Sequence, residues 1–487
     1  MIVELRTEVI RIQKASLKLI DVGQPFYIFS DRQSTRKLIP PLKGIHIYGP
    51  YDSQTSSETL KRKFKGVEII VVYPKDERMV ENALLSLMEY MNNGYTGSVS
   101  FDGFQSEFRL KRVYIPSSSD EFIKYKVGSL SENLEEIRAV CQEAFERRNI
   151  PVIVIGGTAH KSSVKRREQY VEAKRLLTKE EFPTQYASYY ELETEGYGIL
   201  YQICHKRDVS YSLWNFSLNI YGKVGGLPWI IRQRTKQPLD ISIGIRFARL
   251  PKGYVVGHAV ILDSFGRLIG TVTSRKYYTK GMKISKRDMK DFFLKVLETA
   301  IKDPRIAKIY ENGKNTLNVA LHRVNLFHPE EILGVKEAVE DVKKSFKTLP
   351  INEIKIGFIG IIQEQAFFLL DESKETKNAK VGTCVAINDC TAIISTAGSL
   401  GDKERNEMIY PIIACCQNLD EQDCPFSSLE DVCKHIVDQT ALHWQTIFPG
   451  LIRLPATLEF AEDVGRAYVK GINPPENSWL ERTLWFI

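Results

Sequence analysis

A basic helix that follows a glycine pair has the residue types of an anion site. The apolar run 150–157 ends in Gly156 and Gly157, and a helical pattern with Tyr170 and Lys174 four residues apart follows it. Backbone N–H groups at such a strand end and helix start suit a phosphate. Residues four apart share one helix face, so a ring that stacks on a base can lie beside an ammonium group that binds its phosphate. A solvated basic helix is the alternative interpretation.

The whole chain has the composition of a globular protein. It has 487 residues, of which 43% are apolar and 26% charged, and a net charge of +7 that does not by itself indicate nucleic acid. The length predicts roughly two to four domains. No apolar run reaches the roughly 20 residues that cross a bilayer, and the first residues do not resemble a signal peptide. We therefore expect a cytoplasmic protein.

The eight cysteines include no CxxC pair, which favours buried thiols over a disulfide framework. One group could be imagined as a zinc site: Cys415, Cys416, Cys424, Cys433 and His435. Its spacing matches no standard zinc pattern. We expect no metal there.

Strand and helix patterns alternate in the first half of the chain. Apolar runs at 67–74 and 150–157 predict buried strands, and helical periods at 77–91 and 133–148 predict helices. This alternation is typical of an α/β domain with a largely parallel sheet. A glycine-rich segment after it places a domain boundary near Val224.

The second half has the element order of an RNase H-like domain. The predicted strands are 241–247, 254–262 and 267–273, followed by a helix (286–302), a strand (316–324) and a second helix (329–347). Ser285 and Asp288 have capping-box spacing, which predicts that the first helix begins directly after the serine.

Four segments in a fixed order carry a family resemblance: "YVEAKRLLTKEEFPTQ", "NIYGKVGGLPW", "HIVDQTALHWQTIFPGLIRLPATLEFAED" and "LERTLWFI". Together they resemble the MID and PIWI domains of Argonautes, specifically a short prokaryotic Argonaute without N and PAZ domains. The resemblance runs from "YGPYD" to the last residue. It implies an α/β chain with a Rossmann-like MID domain over 46–224 and an RNase H-like PIWI domain over 225–487. Residues 1–45 would form a small lead-in subdomain of strands.

The resemblance also implies a pocket for the 5′ end of a guide. The matched positions are Tyr170, Lys174, Gln185, Lys223, Asn219 and Ile487. The tyrosine would stack on the first base, the lysines would bind the 5′ phosphate, and the glutamine would bond phosphate or base. The asparagine and the terminal carboxylate of Ile487 would hold a Mg²⁺ ion that also contacts the phosphate. No redox or nucleotide cofactor is expected. The apolar "LWFI" end is expected to be buried, and plain apolar packing is the alternative to its role in the pocket.

Active PIWI domains cleave with carboxylates that hold two Mg²⁺ ions. At the matched positions this sequence has Arg246 for the first carboxylate, Val324 for the third and Glu462 for the fourth. A fixed positive charge and an isopropyl group cannot ligate a metal pair, so we expect a chain that is not an enzyme. Arg246 is then a chance substitution, a phosphate contact or the partner of a nearby carboxylate. A displaced site built from Asp240, Asp263 or Asp463 is the alternative.

The function that the resemblance implies is guide-dependent recognition of nucleic acid in a prokaryotic immune system. The chain would bind a 5′-phosphorylated small guide, RNA by preference, and a complementary single-stranded DNA target without cutting it. It would signal to a separate effector in a heterodimer or larger assembly. That effector would be an APAZ-containing protein with a TIR, sirtuin-like or nuclease domain, or a membrane effector. A guided endonuclease with rearranged carboxylates and an unguided scaffold are the alternatives.

Overall fold

The computed structural model describes most of the chain. The described residues are 3–5, 8–10, 18–30, 39–52, 64–159, 163–192, 196–250, 254–279, 284–311, 313–345, 351–363, 368–370, 378–397, 410–448, 452–476 and 478–487.

The strands are β1 (Val3–Leu5), β2 (Glu8–Ile10), β3 (Lys18–Asp21), β4 (Tyr27–Ile28), β5 (Gly66–Pro74), β6 (Tyr95–Thr96), β7 (Ser100–Phe101), β8 (Val113–Tyr114), β9 (Ile123–Tyr125), β10 (Asn149–Gly156), β11 (Thr184–Ala187), β12 (Glu191–Leu192), β13 (Gly196–Tyr197), β14 (Ile230–Ile231), β15 (Ile241–Arg249), β16 (Tyr254–Asp263), β17 (Leu268–Thr279), β18 (Thr316–Val324), β19 (Glu353–Ile362), β20 (Thr383–Asn388), β21 (Thr391–Ile394) and β22 (Ile412–Cys416). The α-helices are α1 (Pro41–Tyr48), α2 (Arg78–Asn93), α3 (Phe104–Glu107), α4 (Leu134–Glu146), α5 (Ser163–Lys179), α6 (Ile199–Cys204), α7 (Ser210–Lys223), α8 (Lys286–Ile301), α9 (Pro304–Glu311), α10 (Pro329–Ser345), α11 (Leu429–Thr440) and α12 (Ala456–Val469).

A parallel sheet organises the first half. Its strands run in the order β11-β10-β5-β8, with β9 also pairing with β5. Every residue of β10 is buried, as expected for a strand covered on both faces. Helix α2 buries Val80, Leu84 and Leu87 along one face, at helical spacing. The predicted strands and helices of this half are confirmed, with ends shifted by one or two residues.

A nine-stranded mixed sheet organises the second half, in the order β17-β16-β15-β18-β19-β22-β21-β20-β3. β15 pairs antiparallel with β16 and parallel with β18, and β19 continues parallel to β18. The predicted RNase H-like order is therefore confirmed. The Oγ of Ser285 accepts the N–H of Asp288 at 3.1 Å, and α8 begins at Lys286, as the capping pattern predicts.

The described part of the first 45 residues pairs with later segments. β3 pairs with β20 at the edge of the nine-stranded sheet, and β4 pairs with β14. The segment is thus attached to the second half of the chain. The domain boundaries at 45 and 224 stay predictions.

The last residues pack into a core that reaches both halves. Leu484, Trp485 and Phe486 are each 5% exposed or less, which confirms the predicted burial of this end. A Cβ on Gly222 in α7 would lie 2.9 Å from Leu484, so the absence of a side chain lets the end of the chain lie directly on this helix. The contact brings Ile487 next to the end of α7.

Among the described residues, no helix has the length and apolar character that spanning a membrane requires.

Candidate nucleic-acid-binding site

Four parts of the chain meet at the predicted pocket. Helix α5 carries Tyr170 and Lys174 on one face, β11 carries Gln185 at the end of the parallel sheet, and α7 ends at Lys223. The last residue, Ile487, completes the group through its contact with Lys174. The structure therefore brings these predicted residues together, and their roles stay predictions.

Two lysines of this pocket are buried. Lys174 is 2% exposed and Lys223 is 1% exposed. The Nζ of Lys223 donates to Oε1 of Gln185 at 2.5 Å, and the Nζ of Lys174 donates to the main-chain oxygen of Ile487. Among the described residues, neither ammonium has an ion pair with an Asp or Glu side chain.

Burial acts strongly on both ammonium groups. It lowers the pKa of Lys174 to about 7, and it lowers that of Lys223 well below its usual value, with the charge of Lys174 adding to the effect. Two neighbouring cations out of water are unfavourable unless an anion joins them. The pocket is therefore electrostatically suited to a phosphate.

The ring of Tyr170 lies close to two cations. The Nζ of Lys174 is 5.9 Å from its centroid, and the Nζ of Lys470 is 5.3 Å from it. The edge of the ring packs on Tyr186, with centroids 5.3 Å apart and planes at 82°. Burial raises the pKa of Tyr170 to about 12, so the phenol stays neutral. An aromatic platform beside clustered cations can stack a base next to its phosphate.

Lys470 was not among the residues predicted from the sequence. It follows the last turn of α12, and its main-chain oxygen accepts a hydrogen bond from Nη2 of Arg175 at 3.0 Å. Nothing local marks it, because the helix that carries it is remote in sequence from α5. The sequence shows only that a lysine stands at the end of a helical pattern, in "GRAYVKG".

The predicted Mg²⁺ ligands, Asn219 and Ile487, each carry an oxygen atom. Oδ1 of Asn219 is buried and has no hydrogen-bond partner among the described residues. The oxygen of Ile487 already accepts from Lys174. Amide and carboxylate oxygens are hard donors of the kind that Mg²⁺ takes, so the chemistry of Asn219 and Ile487 would suit this ion.

Arg246 is paired with a carboxylate. It lies in β15 opposite His258 of β16, and its guanidinium forms an ion pair with Glu462 of α12. Glu462 also pairs with Arg466, one turn further along the helix. Of the roles considered for this arginine, the structure supports the partner of a nearby carboxylate. Glu462 is held by two guanidinium groups.

The three residues 322–324 are also engaged within the protein. Nε2 of His322 lies 2.9 Å from Nε2 of His435, and its Nδ1 lies 2.8 Å from Oγ1 of Thr457. Burial lowers the pKa of His322 to about 3. Arg323 forms an ion pair with Glu331, and the side chain of Val324 packs against an apolar core.

Of the carboxylates considered for a displaced site, Asp240 and Asp263 lie away from Arg246, whereas the charge of Asp463 reaches it. Asp240 binds Nζ of Lys314 at 2.6 Å, and Asp263 binds Nε of Arg267 at 2.6 Å. Both lie at the start of β15 in the sheet, about 20 Å from Arg246 along the strand. Oδ2 of Asp463 accepts from Nε2 of Gln445 at 2.6 Å, and its charge acts on Lys174 and Lys470.

Helix α12 lies directly on β15. A Cβ on Gly244 would clash with the main chain of Thr457, and one on Gly465 would lie 2.9 Å from the Cβ of Ala248. These two glycines let the backbones approach closely. This close contact places Glu462 of α12 next to Arg246 and places Lys470, directly after the helix, next to Tyr170 of the pocket.

A parallel sheet with a buried basic pocket, joined to an RNase H-like sheet, is the arrangement of a MID–PIWI fold. No family model matches the sequence. The "Piwi protein" of Archaeoglobus fulgidus is 20% identical over 303 residues, which are 59% of this chain and 67% of that protein. The "Protein argonaute" of Cereibacter sphaeroides is 24% identical over 466 residues, which are 90% of this chain and 54% of that protein.

Solved structures show the same fold. Clostridium butyricum Argonaute bound to a guide DNA and a 19-mer target DNA matches 96% of this chain and 55% of its own, with a TM-score of 0.65 and 18% identity. Drosophila Piwi matches 97% of this chain and 56% of its own, with a TM-score of 0.62 and 13% identity. The chain thus spans about half the length of these proteins. It has homologues among Argonaute and Piwi proteins and has their MID–PIWI fold.

Proposed function

We propose that the chain binds a guide nucleic acid by its 5′ phosphate and uses the guide to recognise a complementary strand. One observation carries this proposal: Lys174 and Lys223 are both buried, the charge of Lys174 acts on Lys223, and within the described part of the chain neither is paired with an Asp or Glu side chain. A terminal phosphate has close to two negative charges at neutral pH and accepts several hydrogen bonds. A 5′ phosphate therefore supplies negative charge and further hydrogen-bond acceptors to both ammonium groups.

The surrounding groups fit a nucleotide end. The half-buried ring of Tyr170 has the cationic neighbours that favour stacking of a base, and the amide of Gln185 can donate to phosphate or base. We propose that Asn219 and Ile487 supply two oxygens to a Mg²⁺ ion when one is bound. The ion would neutralise phosphate charge in the pocket.

We propose that the chain does not cleave its target. The observation behind this is the pairing of Arg246 with Glu462, which engages the one carboxylate among the three matched catalytic positions. Guided cleavage by rearranged carboxylates is the rival. It predicts that Mg²⁺ or Mn²⁺ supports cutting of a labelled complementary strand, and a cleavage product that Glu462→Gln abolishes would decide for it.

The finer assignments follow the family resemblance. We propose an RNA guide, a single-stranded DNA target and a separate effector protein in an immune system, with the chain as the recognition subunit in the cytoplasm. The effector would be APAZ-containing with a TIR, sirtuin-like or nuclease domain, or would be a membrane protein. The C. butyricum relative holds a guide DNA, so guides of both chemistries must be compared.

Binding of matched oligonucleotides tests the proposal. The affinity of the full chain is measured for RNA and DNA of one sequence with a 5′ phosphate or a 5′ hydroxyl. We expect tighter binding of the phosphorylated strands, and the double variant Lys174→Ala with Lys223→Ala should remove this preference. Lys179→Ala, an exposed lysine on the same helix, is the matched control and should keep it. Equal affinity for both ends in the unchanged protein would favour the unguided scaffold.

The partner assignments need a different experiment. The tagged chain is purified from a host that carries its native gene neighbours, and the bound nucleic acid is sequenced. Mass spectrometry identifies the bound protein. We expect short RNAs with 5′ phosphates and one protein of the proposed effector class in fixed proportion to the chain, whereas bound DNA guides would overturn the RNA assignment.

A further inference from the structure

The backbone N–H groups that follow β10 are bound by side chains of the protein itself. The N–H of Thr158 donates to Oε1 of Gln169 at 2.8 Å. The N–H of Ala159 donates to Oε2 of Glu77 at 2.6 Å. Two of the N–H groups that this strand end would offer to an anion are therefore engaged within the chain.

Gln169 lies at the centre of this arrangement. It is 1% exposed, and its side-chain amide uses both donors and accepts two hydrogen bonds. Besides the N–H of Thr158, Oε1 accepts the hydroxyl of Tyr186 at 2.9 Å. Nε2 donates to the main-chain oxygen of Gly156 at 3.0 Å and to the hydroxyl of Tyr125. A buried amide with all four bonds made is held in one orientation, and it restrains the groups that it binds.

Tyr186 connects this buried amide to the pocket. Burial raises the pKa of its hydroxyl, which therefore keeps the proton that it donates to Gln169. Gly157 leaves room for the hydroxyl, because a Cβ there would lie 2.8 Å from it. The ring of Tyr186 meets the ring of Tyr170 at 82°, with centroids 5.3 Å apart. A perpendicular contact of this kind favours one plane for the Tyr170 ring, and Tyr186 covers at most one face of it.

We propose that Gln169 and Tyr186 are positioning residues for the first base of the guide: Gln169 fixes Tyr186, and Tyr186 holds the ring of Tyr170 in the plane on which the base stacks. The inference rests on the proposed function and concerns the contribution of the base, whereas the phosphate is bound by Lys174 and Lys223. A ring held in its binding orientation loses little conformational freedom when the base arrives, so more of the stacking energy appears as affinity.

Two variants of Tyr186 separate the ring contact from the hydrogen bond. Tyr186→Leu removes both, and Tyr186→Phe keeps the ring and removes only the bond to Gln169. The affinity of the full chain is measured for two 5′-phosphorylated oligonucleotides, one with adenine and one with an abasic site at the first position. We expect Tyr186→Leu to reduce the ratio of these affinities by about two- to tenfold, and Tyr186→Phe to reduce it by less. Tyr170→Ala defines a complete loss of stacking, roughly tenfold.

A spectroscopic signal distinguishes positioning from a general loss of stability. 2-Aminopurine loses fluorescence when it stacks on an aromatic ring, and it replaces adenine at the first position of the phosphorylated oligonucleotide. At saturating protein, we expect weaker quenching with Tyr186→Leu than with the unchanged protein, and an intermediate value with Tyr186→Phe. A variant that only lowers stability or affinity would show full quenching once it is saturated.

Tyr189 supplies the matched controls. Its ring meets that of Tyr201, with centroids 5.7 Å apart and planes at 72°. Tyr189→Leu and Tyr189→Phe are the same chemical changes three residues further along the chain, and both should leave the affinity ratio and the quenching unchanged. An unchanged ratio and quenching in Tyr186→Leu, or an equal loss in Tyr189→Leu, would overturn the proposal. If Tyr186→Phe behaves as the unchanged protein does, the role of Gln169 is wrong.

The outcome is separable from the proposed function. If Tyr186→Leu does not fold, Tyr186→Phe decides by itself, because it keeps the buried ring. If the unchanged protein does not distinguish a 5′ phosphate from a 5′ hydroxyl, the proposed function fails. If it does, and the Tyr186 variants keep the full contribution of the base, only this inference fails.

Discussion

Replacing Lys174 with methionine should stabilise the ligand-free protein. Burial lowers the pKa of this lysine from 10.5 to about 7, which corresponds to about 5 kcal/mol at a pH below 7. The variant also leaves a terminal carboxylate oxygen of Ile487 without its donor, which costs about 3–5 kcal/mol. The difference is a gain of about 0–2 kcal/mol for Lys174→Met near pH 6.5.

The gain should depend on pH in a defined direction. The unfolded chain keeps this proton up to about pH 10.5, whereas the folded chain releases it near pH 7, so the unfolded state binds more protons between these values. The unchanged protein therefore becomes more stable as the pH rises through this window, by about 1.4 kcal/mol per unit. The advantage of Lys174→Met is full below pH 7 and declines towards pH 10.5.

Thermal unfolding at pH 6.5, 8 and 9.5 measures both effects. We expect Lys174→Met to raise the apparent Tm by up to a few degrees at pH 6.5 and to lower it at pH 9.5, where the remaining gain is smaller than the cost of the lost donor. Lys179→Met on the exposed end of the same helix should change it little at either pH. The same Lys174 variant should lose the preference for a 5′-phosphorylated strand. A lower Tm at pH 6.5, or a gain that does not decline with pH, would refute the reasoning.

Three further outcomes are expected. A double-mutant cycle of Arg246→Met and Glu462→Gln, followed by urea unfolding, should give a coupling of about 1–3 kcal/mol, and additive effects would argue against the pair. Gly244→Ala should lower the free energy of unfolding by about 1–3 kcal/mol because its Cβ would clash with the main chain of Thr457, whereas Gly270→Ala, which meets only a methyl of Thr299 at 3.2 Å, should cost less. Stability should fall from pH 6.5 to 4 because the folded chain protonates His322 only near pH 3, and His322→Gln should make this fall shallower by about 1.4 kcal/mol per unit.

The elements that the sequence predicts correctly are those with strong local patterns. The β-branched runs of β5 and β10 and the helical period of α2 specify their own structure, and the cap at Ser285 specifies where α8 begins. The position of β3 at the edge of the nine-stranded sheet was not predicted. β3 has only four residues, and their sequence does not indicate that they pair with β20, a strand far along the chain.

The site divides in the same way. Tyr170 and Lys174 are predicted from spacing within one helix, while Gln185 and Lys223 depended on the family resemblance. The positions of Lys470 and Asp463 depend on how α12 packs on β15. Two glycines at that contact, Gly244 and Gly465, allow the close approach of the helix to the strand. Side-chain pairing across such a contact is a tertiary property that one sequence does not reveal.

Arg246 supplies a positive charge beside two acidic side chains of α12. On α12, Glu459 and Glu462 face the strand that carries this arginine, and their charges would repel each other without a cation. The guanidinium of Arg246 compensates these charges. Arg246→Asp would therefore add a carboxylate to an acidic cluster and remove its cation. We expect such a variant to lose stability rather than to gain cleavage.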